Sequence, residues 1–191
     1  MMLVHAINDE ILNACRTGDR EAFRLLFDSY KDRVYSIALA FFNGNNATAE
    51  DVTQQVFLKV MTHISQFERR SQFSTWLYRL VTNSCLDHVR SSRRFLFFGD
   101  PKEFQTPDRR KSAEAGYIAI QMESEVRNAI AALKPKLRLA ILLKYFDDLS
   151  YDEMAVALGC SKGTVASRLN RGHQFLARRL SHLRNQVTSG D

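Results

Sequence analysis

The chain has 191 residues, 45% of them hydrophobic and 25% charged, a globular composition with room for one ordinary domain or two small ones. Three prolines and eight glycines are too few for a fold of many short strands, and no apolar run approaches the roughly 20 residues that a membrane-spanning helix needs. The net charge of +6 is unevenly placed: residues 69–111 and 134–184 each hold ten basic and four acidic side chains, and the stretches before and between them are acidic. Two separate basic zones suit a polyanion held at two places. Cys15, Cys85 and Cys160 are odd in number and far apart, which suits reduced thiols. The first ten residues (MMLVHAINDE) lack the basic flank and apolar core of a secretion signal, so a cytoplasmic location without membrane insertion is expected.

Helical periodicity dominates, and no alternating strand pattern stands out. A short helix is predicted near Asp9–Arg16. From Glu21 onward Phe23, Leu26, Phe27, Tyr30, Val34, Ile37 and Phe41 recur at three- and four-residue steps, one apolar stripe on a long helix. Gly44, Asn45 and Asn46 break it. Thr48 with Asp51 resembles a capping box, and Val52, Val56, Val60 and Ile64 line the helix that follows. A third helix is predicted from about Ser74 to Ser91. Residues 1–91 thus form a first helical domain.

Residues 92–119 contain Pro101 and Pro107, clustered charge and no period, and read as an extended linker. The run Phe95 to Phe98 within it either docks back on its own domain or serves as an interaction segment. Residues 120–184 form a second helical domain, with a helix ending near Ala132 and another starting at Pro135, a residue suited to a first helical turn. Ser150 and Glu153 make a capping box for a short helix through Leu158; Gly159 ends it, and Ser161 caps a last helix carrying Val165, Leu169, Phe175, Leu176 and Leu180. Residues 185–191 are a tail. The expected fold is all-α.

Counted from Tyr151, Ala155 is the fifth residue, Gly159 the ninth and Val165 the fifteenth. Those are the small, turn-forming and knob positions of a DNA-binding helix-turn-helix. Its second helix would lie in the major groove with Lys162, Thr164, Ser167 and Arg168 towards base edges, and Arg171 one turn further on. Residues 161–184 hold six Lys or Arg and no acid. In the third helix Arg79, Asn83, Asp87 and Arg90 share one face, with Phe73, Trp76 and Tyr78 at its start. On the residues alone this is either a platform for unpaired bases, edges to the polar groups and stacking on the rings, or an aromatic core beneath a wet face.

Three blocks, AEDVTQQVFLKV (49–60), FSTWLYRLVTNSCLDHVR (73–90) and LSYDEMAVALGCSKGTVASRL (149–169), resemble the extracytoplasmic-function (ECF) group of bacterial RNA polymerase sigma factors. LKPKLRLAILLKYF (133–146) is similar to the block that precedes the helix-turn-helix there. The resemblance implies a sigma factor that is not an enzyme: a monomer in the holoenzyme, directing transcription initiation of a stress or envelope-responsive regulon. It implies a first domain that binds the β′ clamp of core polymerase and reads the −10 element as a melted strand. The second domain, with polymerase's β subunit near, would bind the −35 duplex. Asp51, Gln54, Gln55 and Leu58, opposite the valine stripe, match the polymerase contact. Trp76, Arg79, Asn83, Asp87 and Arg90 fall on the −10 contact, and an anti-sigma factor is the implied regulator. Gln55 stands where an acid is common, Lys134 interrupts a usual Leu-Pro pair, and Cys160 replaces an aliphatic residue.

Other chemistry finds little support. Cys85 and His88 lie three apart on a helix with no second pair nearby, and the GCSKGT string lacks phosphate-loop spacing and follows a helix. No cofactor, metal or catalytic site is expected. The rival readings are an autonomous helix-turn-helix repressor or activator, and an RNA-binding adaptor.

Overall fold

The computed structural model describes residues 7–98 and 114–183, with side chains at 7–92 and 121–183. The elements are α1 (Asp9–Arg16), α2 (Arg20–Phe41), α3 (Asn46–His63), a 3-10 turn (Ile64–Gln66), α4 (Phe73–Phe98), α5 (Glu114–Ala131), α6 (Pro135–Phe146), α7 (Tyr151–Ala157) and α8 (Lys162–Arg179). No strand occurs among the described residues. Two helical domains result, α1–α4 and α5–α8.

Short polar side chains set the helix starts. Asn8, Asp19, Asn45 and Ser161 each accept a backbone N–H from the first turn of the helix they precede. Ser150 and Glu153 form the reciprocal capping box expected of them. For α3 the expectation fails: Asn45, whose side chain accepts from Thr48 N–H at 3.0 Å, is the cap, and Asp51 lies in the second turn. The amide carbonyl of an asparagine at the break caps as well as the threonine hydroxyl would, and it comes earlier in the chain, so the helix starts there.

The linker also shrinks from both ends. Between Ser91 and Phe98 there is no glycine or proline, and α4 spans Phe73–Phe98; α5, Glu114–Ala131, follows Pro107 in the chain. The Phe95–Phe98 run therefore closes α4, although its side chains lie outside the described residues, as do 99–113 and the tail.

In the first domain Leu26, Val34, Ile37 and Phe41 of α2 are buried with Val52, Val56 and Val60 of α3 and with Leu77, Val81 and Cys85 of α4. In the second, Leu139, Leu142 and Leu143 of α6 are buried with Met154 of α7 and Val165 and Leu169 of α8. Each such fully buried Leu or Val contributes about 1.5–3 kcal/mol relative to exposure. At Gly159 φ is +57°, the left-handed turn between α7 and α8 that glycine adopts without strain. Gly172 has a different use: a Cβ there would stand 2.9 Å from Ile141 Cγ1, so its absence lets α8 lie close on α6.

The domains are not apart. α7 and α6 pack against α4 and α2, and the buried residues of both domains form one continuous cluster. The Thr82 hydroxyl donates to the Ala157 carbonyl at 2.8 Å, and the Tyr78 hydroxyl donates to Asp147 Oδ1 at 3.0 Å. Arg33 Nε pairs with the same Asp147 oxygen. The Arg138 guanidinium lies 5.1 Å from the Phe41 ring centre, donates to the Phe41 carbonyl at 2.5 Å, and also donates to the Ala131 and Leu133 carbonyls. One arginine thereby closes the ends of two helices and the seam between domains.

Candidate nucleic-acid interface

In α3 the valine stripe fixes which side faces out. Val52, Val56 and Val60 are fully buried, and Asp51, Gln54, Gln55 and Leu58 are exposed on the other side. Leu58 is 60% exposed, and Met61, three residues on along that side, is 58% exposed. Two large apolar side chains held in water beside two amides form a surface suited to a protein partner. The sequence reading stopped at Leu58, though the three-residue step to Met61 was there to see.

On α4, Arg79, Asn83, Asp87 and Arg90 all face solvent. Asp87 is already engaged, with its carboxylate 3.0 Å from Arg90 Nη1 and 3.8 Å from Lys59 Nζ of α3. Lys59 also donates to the buried Ser84 hydroxyl at 3.0 Å. Asp87 thus pairs with Arg90 along α4 and with Lys59 across to α3. Lys59 is a residue that the sequence did not single out, because its partner lies on another helix. The aromatic group divides. Phe73 is buried, with ring centres of Phe67 and Trp76 5.7 and 5.6 Å away, so it is core; Trp76 is partly exposed at the edge of that cluster. Tyr78 turns to the domain seam, where burial first, and then the Asp147 charge, pushes its hydroxyl pKa well above the ordinary 10.0.

On α8, Val165 and Leu169 are buried and set the outward side. Lys162 and Arg171 are exposed, while Thr164, Ser167 and Arg168 are partly exposed. The Thr164 hydroxyl lies 3.0 Å from the Ser161 cap oxygen, and Lys162 Nζ lies 2.5 Å from Asp152 of α7. Among the described residues Arg168 and Arg171 meet no acid. The helix-turn-helix positions divide as well: Val165 is fully buried, but Ala155 is only half-buried, and Ala157 is the alanine packed out of solvent.

Residues 26–95 match the Sigma-70 region 2 family and residues 123–176 the Sigma-70 region 4 family. The chain is 31% identical to the ECF sigma factor SigW of Bacillus subtilis over 88% of this chain and 94% of the relative. It is 29% identical to the ECF sigma-E factor of Escherichia coli K12 over 93% and 96%. Its fold matches sigma factor RpoE from Bartonella quintana, solved with the anti-sigma factor NepR, at a TM-score of 0.66 and 22% identity, covering 83% of this chain and 96% of that one. It also matches CnrH, solved with the cytosolic domain of CnrY, at 0.65 and 20% identity, covering 92% and 98%. The blocks at 49–60, 73–90 and 149–169 lie within or across those matched regions, and the chain belongs to the ECF group of RNA polymerase sigma factors, which bind core polymerase and promoter DNA to direct transcription initiation and catalyse no reaction themselves.

Proposed function

We propose a division of labour among the three faces. Asp51, Gln54, Gln55 and Leu58, together with Met61, dock on the β′ clamp of core polymerase. Trp76, Arg79, Asn83, Asp87 and Arg90 hold the melted −10 strand, with Asp87 also pairing with Arg90. Lys162, Thr164, Ser167, Arg168 and Arg171 contact the −35 duplex, near polymerase's β subunit. Residues 1–98 then carry the first role and 114–184 the second. The observation that most supports this reading is that each face is open to solvent while the opposite side of its helix is buried in core. A packing role would have turned these side chains inward.

The protein would work in the cytoplasm, as a monomer within the holoenzyme, on a stress or envelope-responsive regulon. An anti-sigma factor is its expected regulator; the structural neighbour RpoE of Bartonella quintana was solved with the anti-sigma factor NepR bound. The test is run-off transcription from a promoter library by core polymerase with and without the chain. The protein should select a promoter class, and the double change Gln54→Lys, Gln55→Lys should lower polymerase co-purification at unchanged helicity. Equal polymerase binding by that variant would remove the α3 assignment. Asn83→Ala should slow open-complex formation and leave −35 duplex binding unaltered.

A further inference from the structure

The chain between α3 and α4 holds one residue in a costly backbone shape. Arg69 has a φ of +56°, in the left-handed region that glycine enters freely and an arginine does not. Its guanidinium reaches across to α1, where Nη1 donates to Asp9 Oδ2 at 3.1 Å and Nη2 to Asn13 Oδ1 at 2.8 Å. Asn13 Oδ1 also accepts from Arg16 Nη1 at 3.5 Å, and Arg16 Nη2 donates to the Phe67 carbonyl. α1 therefore grips this turn at two points: the backbone at its start and the side chain of its strained residue. Leu12 and Cys15, buried on the inward side of α1, fix that helix to the core.

What the turn borders gives the grip a use. Phe67 and Phe73 stand at its two ends, and their ring centres lie 5.5 and 5.6 Å from that of Trp76, the partly exposed ring of the cluster. Between the two phenylalanines Glu68, Arg69, Arg70 and Gln72 are exposed. A base stacked on Trp76 thus has the turn beside it, and the shape of the turn sets the room that the base finds. A mere connector would not need this arrangement. Glycine at position 69 would adopt the same φ without strain. A pair as exposed as Arg69 and Asp9, with side chains 39% and 72% exposed, adds little to stability.

We propose that α1 is a positioning element for the melted strand: through Asp9, Asn13 and Arg16 it holds the 67–72 turn in the shape that completes the base platform at Trp76. None of the three touches the strand. Arg69 acts through its tie to α1, with its charge met by Asp9 rather than offered to a phosphate. The inference rests on the −10 reading above, and the two can fail separately.

The experiment uses holoenzyme assembled on core polymerase, and short single strands carrying the −10 sequence of the promoters selected in run-off transcription or a scrambled one. In the double variant Asp9→Ala, Asn13→Ala, preference for the matched strand should fall about 3- to 10-fold, the effect of losing one or two positioning hydrogen bonds. Polymerase co-purification, −35 duplex binding and the salt dependence of strand binding should stay as in the wild type. Asn13→Asp keeps the acceptor oxygen and should keep the preference. In the free chain Trp76 is the one tryptophan, so its emission should shift to the red and its quenching by acrylamide should rise in the double variant at unchanged helicity. Arg69→Gly, which suits the φ but cannot reach α1, should behave like the double variant and replaces it if that variant fails to fold. Folded variants that keep the wild-type preference would overturn the inference. Lost preference with unaltered Trp76 emission would also overturn it, because α1 would then act on the strand directly. A third contrary result is an Arg69→Gly chain whose salt dependence flattens by about 0.7 of a unit, which would make Arg69 a phosphate contact. A wild-type holoenzyme with no preference for the matched strand would remove the −10 reading itself, and the role of α1 with it.

Discussion

α8 and α4 are docked in opposite ways. α8 lies on α6 mainly by shape: Gly172 admits Ile141, Val165 and Leu169 are buried, and the side-chain hydrogen bond between Tyr145 and His173, 3.0 Å, lies at the exposed edge. α4 lies on α7 with hydroxyls in the contact, Thr82 to a backbone carbonyl and Tyr78 to Asp147 at the head of that corner. The first junction lies inside a domain, where apolar complementarity gives a single persistent arrangement. The second lies between domains, where hydrogen bonds can be exchanged for water at little net loss. On α4, moreover, the seam residues Tyr78 and Thr82 each directly precede a solvent-facing residue, Arg79 and Asn83. On α8 the outward side chains make, among the described residues, no hydrogen bond or ion pair with the first domain; Lys162 pairs with Asp152 of α7 and Thr164 with Ser161. Changes on α4 should therefore affect both the contact between domains and strand binding, and changes on α8 only duplex binding.

The largest expected effect tests the shape-fitted junction. Gly172→Ala places a methyl 2.9 Å from Ile141 Cγ1 and should destabilise the folded chain by about 1–3 kcal/mol in denaturant unfolding. Ile141→Ala in the same chain removes the clashing atoms, so the double variant should lose less than the two single losses added together. Strict additivity would mean that α6 and α8 are not in the close contact described.

Next comes insulation. Arg168→Ala should weaken binding to the matched −35 duplex by about 1–3 kcal/mol and to scrambled duplex far less. The paired change Arg178→Ala, Arg179→Ala should weaken both duplexes alike and flatten the salt dependence by about one unit per lost phosphate contact. The radius of gyration of the free chain, read by small-angle scattering, should not move in either variant. A radius change on altering Arg168 would show that α8 is coupled to the seam after all.

The smallest effect sharpens the polar junction. Tyr78 titrates above its ordinary 10.0 because burial and the Asp147 charge disfavour the phenolate. A raised native pKa means that the folded form holds its proton after the unfolded form has released it. The stabilisation is complete below pH 10 and fades as pH rises beyond it. Unfolding free energy should therefore slope downward above about pH 10 in the wild type and slope less in Tyr78→Phe. Equal slopes would place Tyr78 in water rather than in the seam.

Much of this was legible in the residues because it is local. The valine stripe of α3, the Ser150–Glu153 box and the Gly159 turn each lie within a few positions, and periodicity and capping report on that range. Where local signals compete, reading is less sharp: Asn45 and Thr48 can both cap, and only the backbone decides between them. The end of α4 was misplaced because charge and serine at 91–94 resemble a linker, although nothing there breaks a helix. The seam was invisible for a different reason. Arg33 and Asp147 are 114 positions apart, and a pair at that distance leaves no period to detect. The same holds for Lys59 and Asp87, whose meeting depends on how α3 crosses α4.

The three cysteines have a practical meaning for chemistry on the intact protein. Cys85 is buried on the inward side of α4, and desolvation pushes its thiol up to about 12, with Arg138 offsetting only part of that; burial also raises Cys15. At neutral pH both are short of the thiolate that alkylating reagents need. Cys160 is partly exposed and follows Gly159 directly, at the turn that leads into α8. A maleimide offered to the folded wild-type chain should therefore attach at one place, and a dye on that sulfur would sit at the mouth of the helix-turn-helix without any cysteine having been removed.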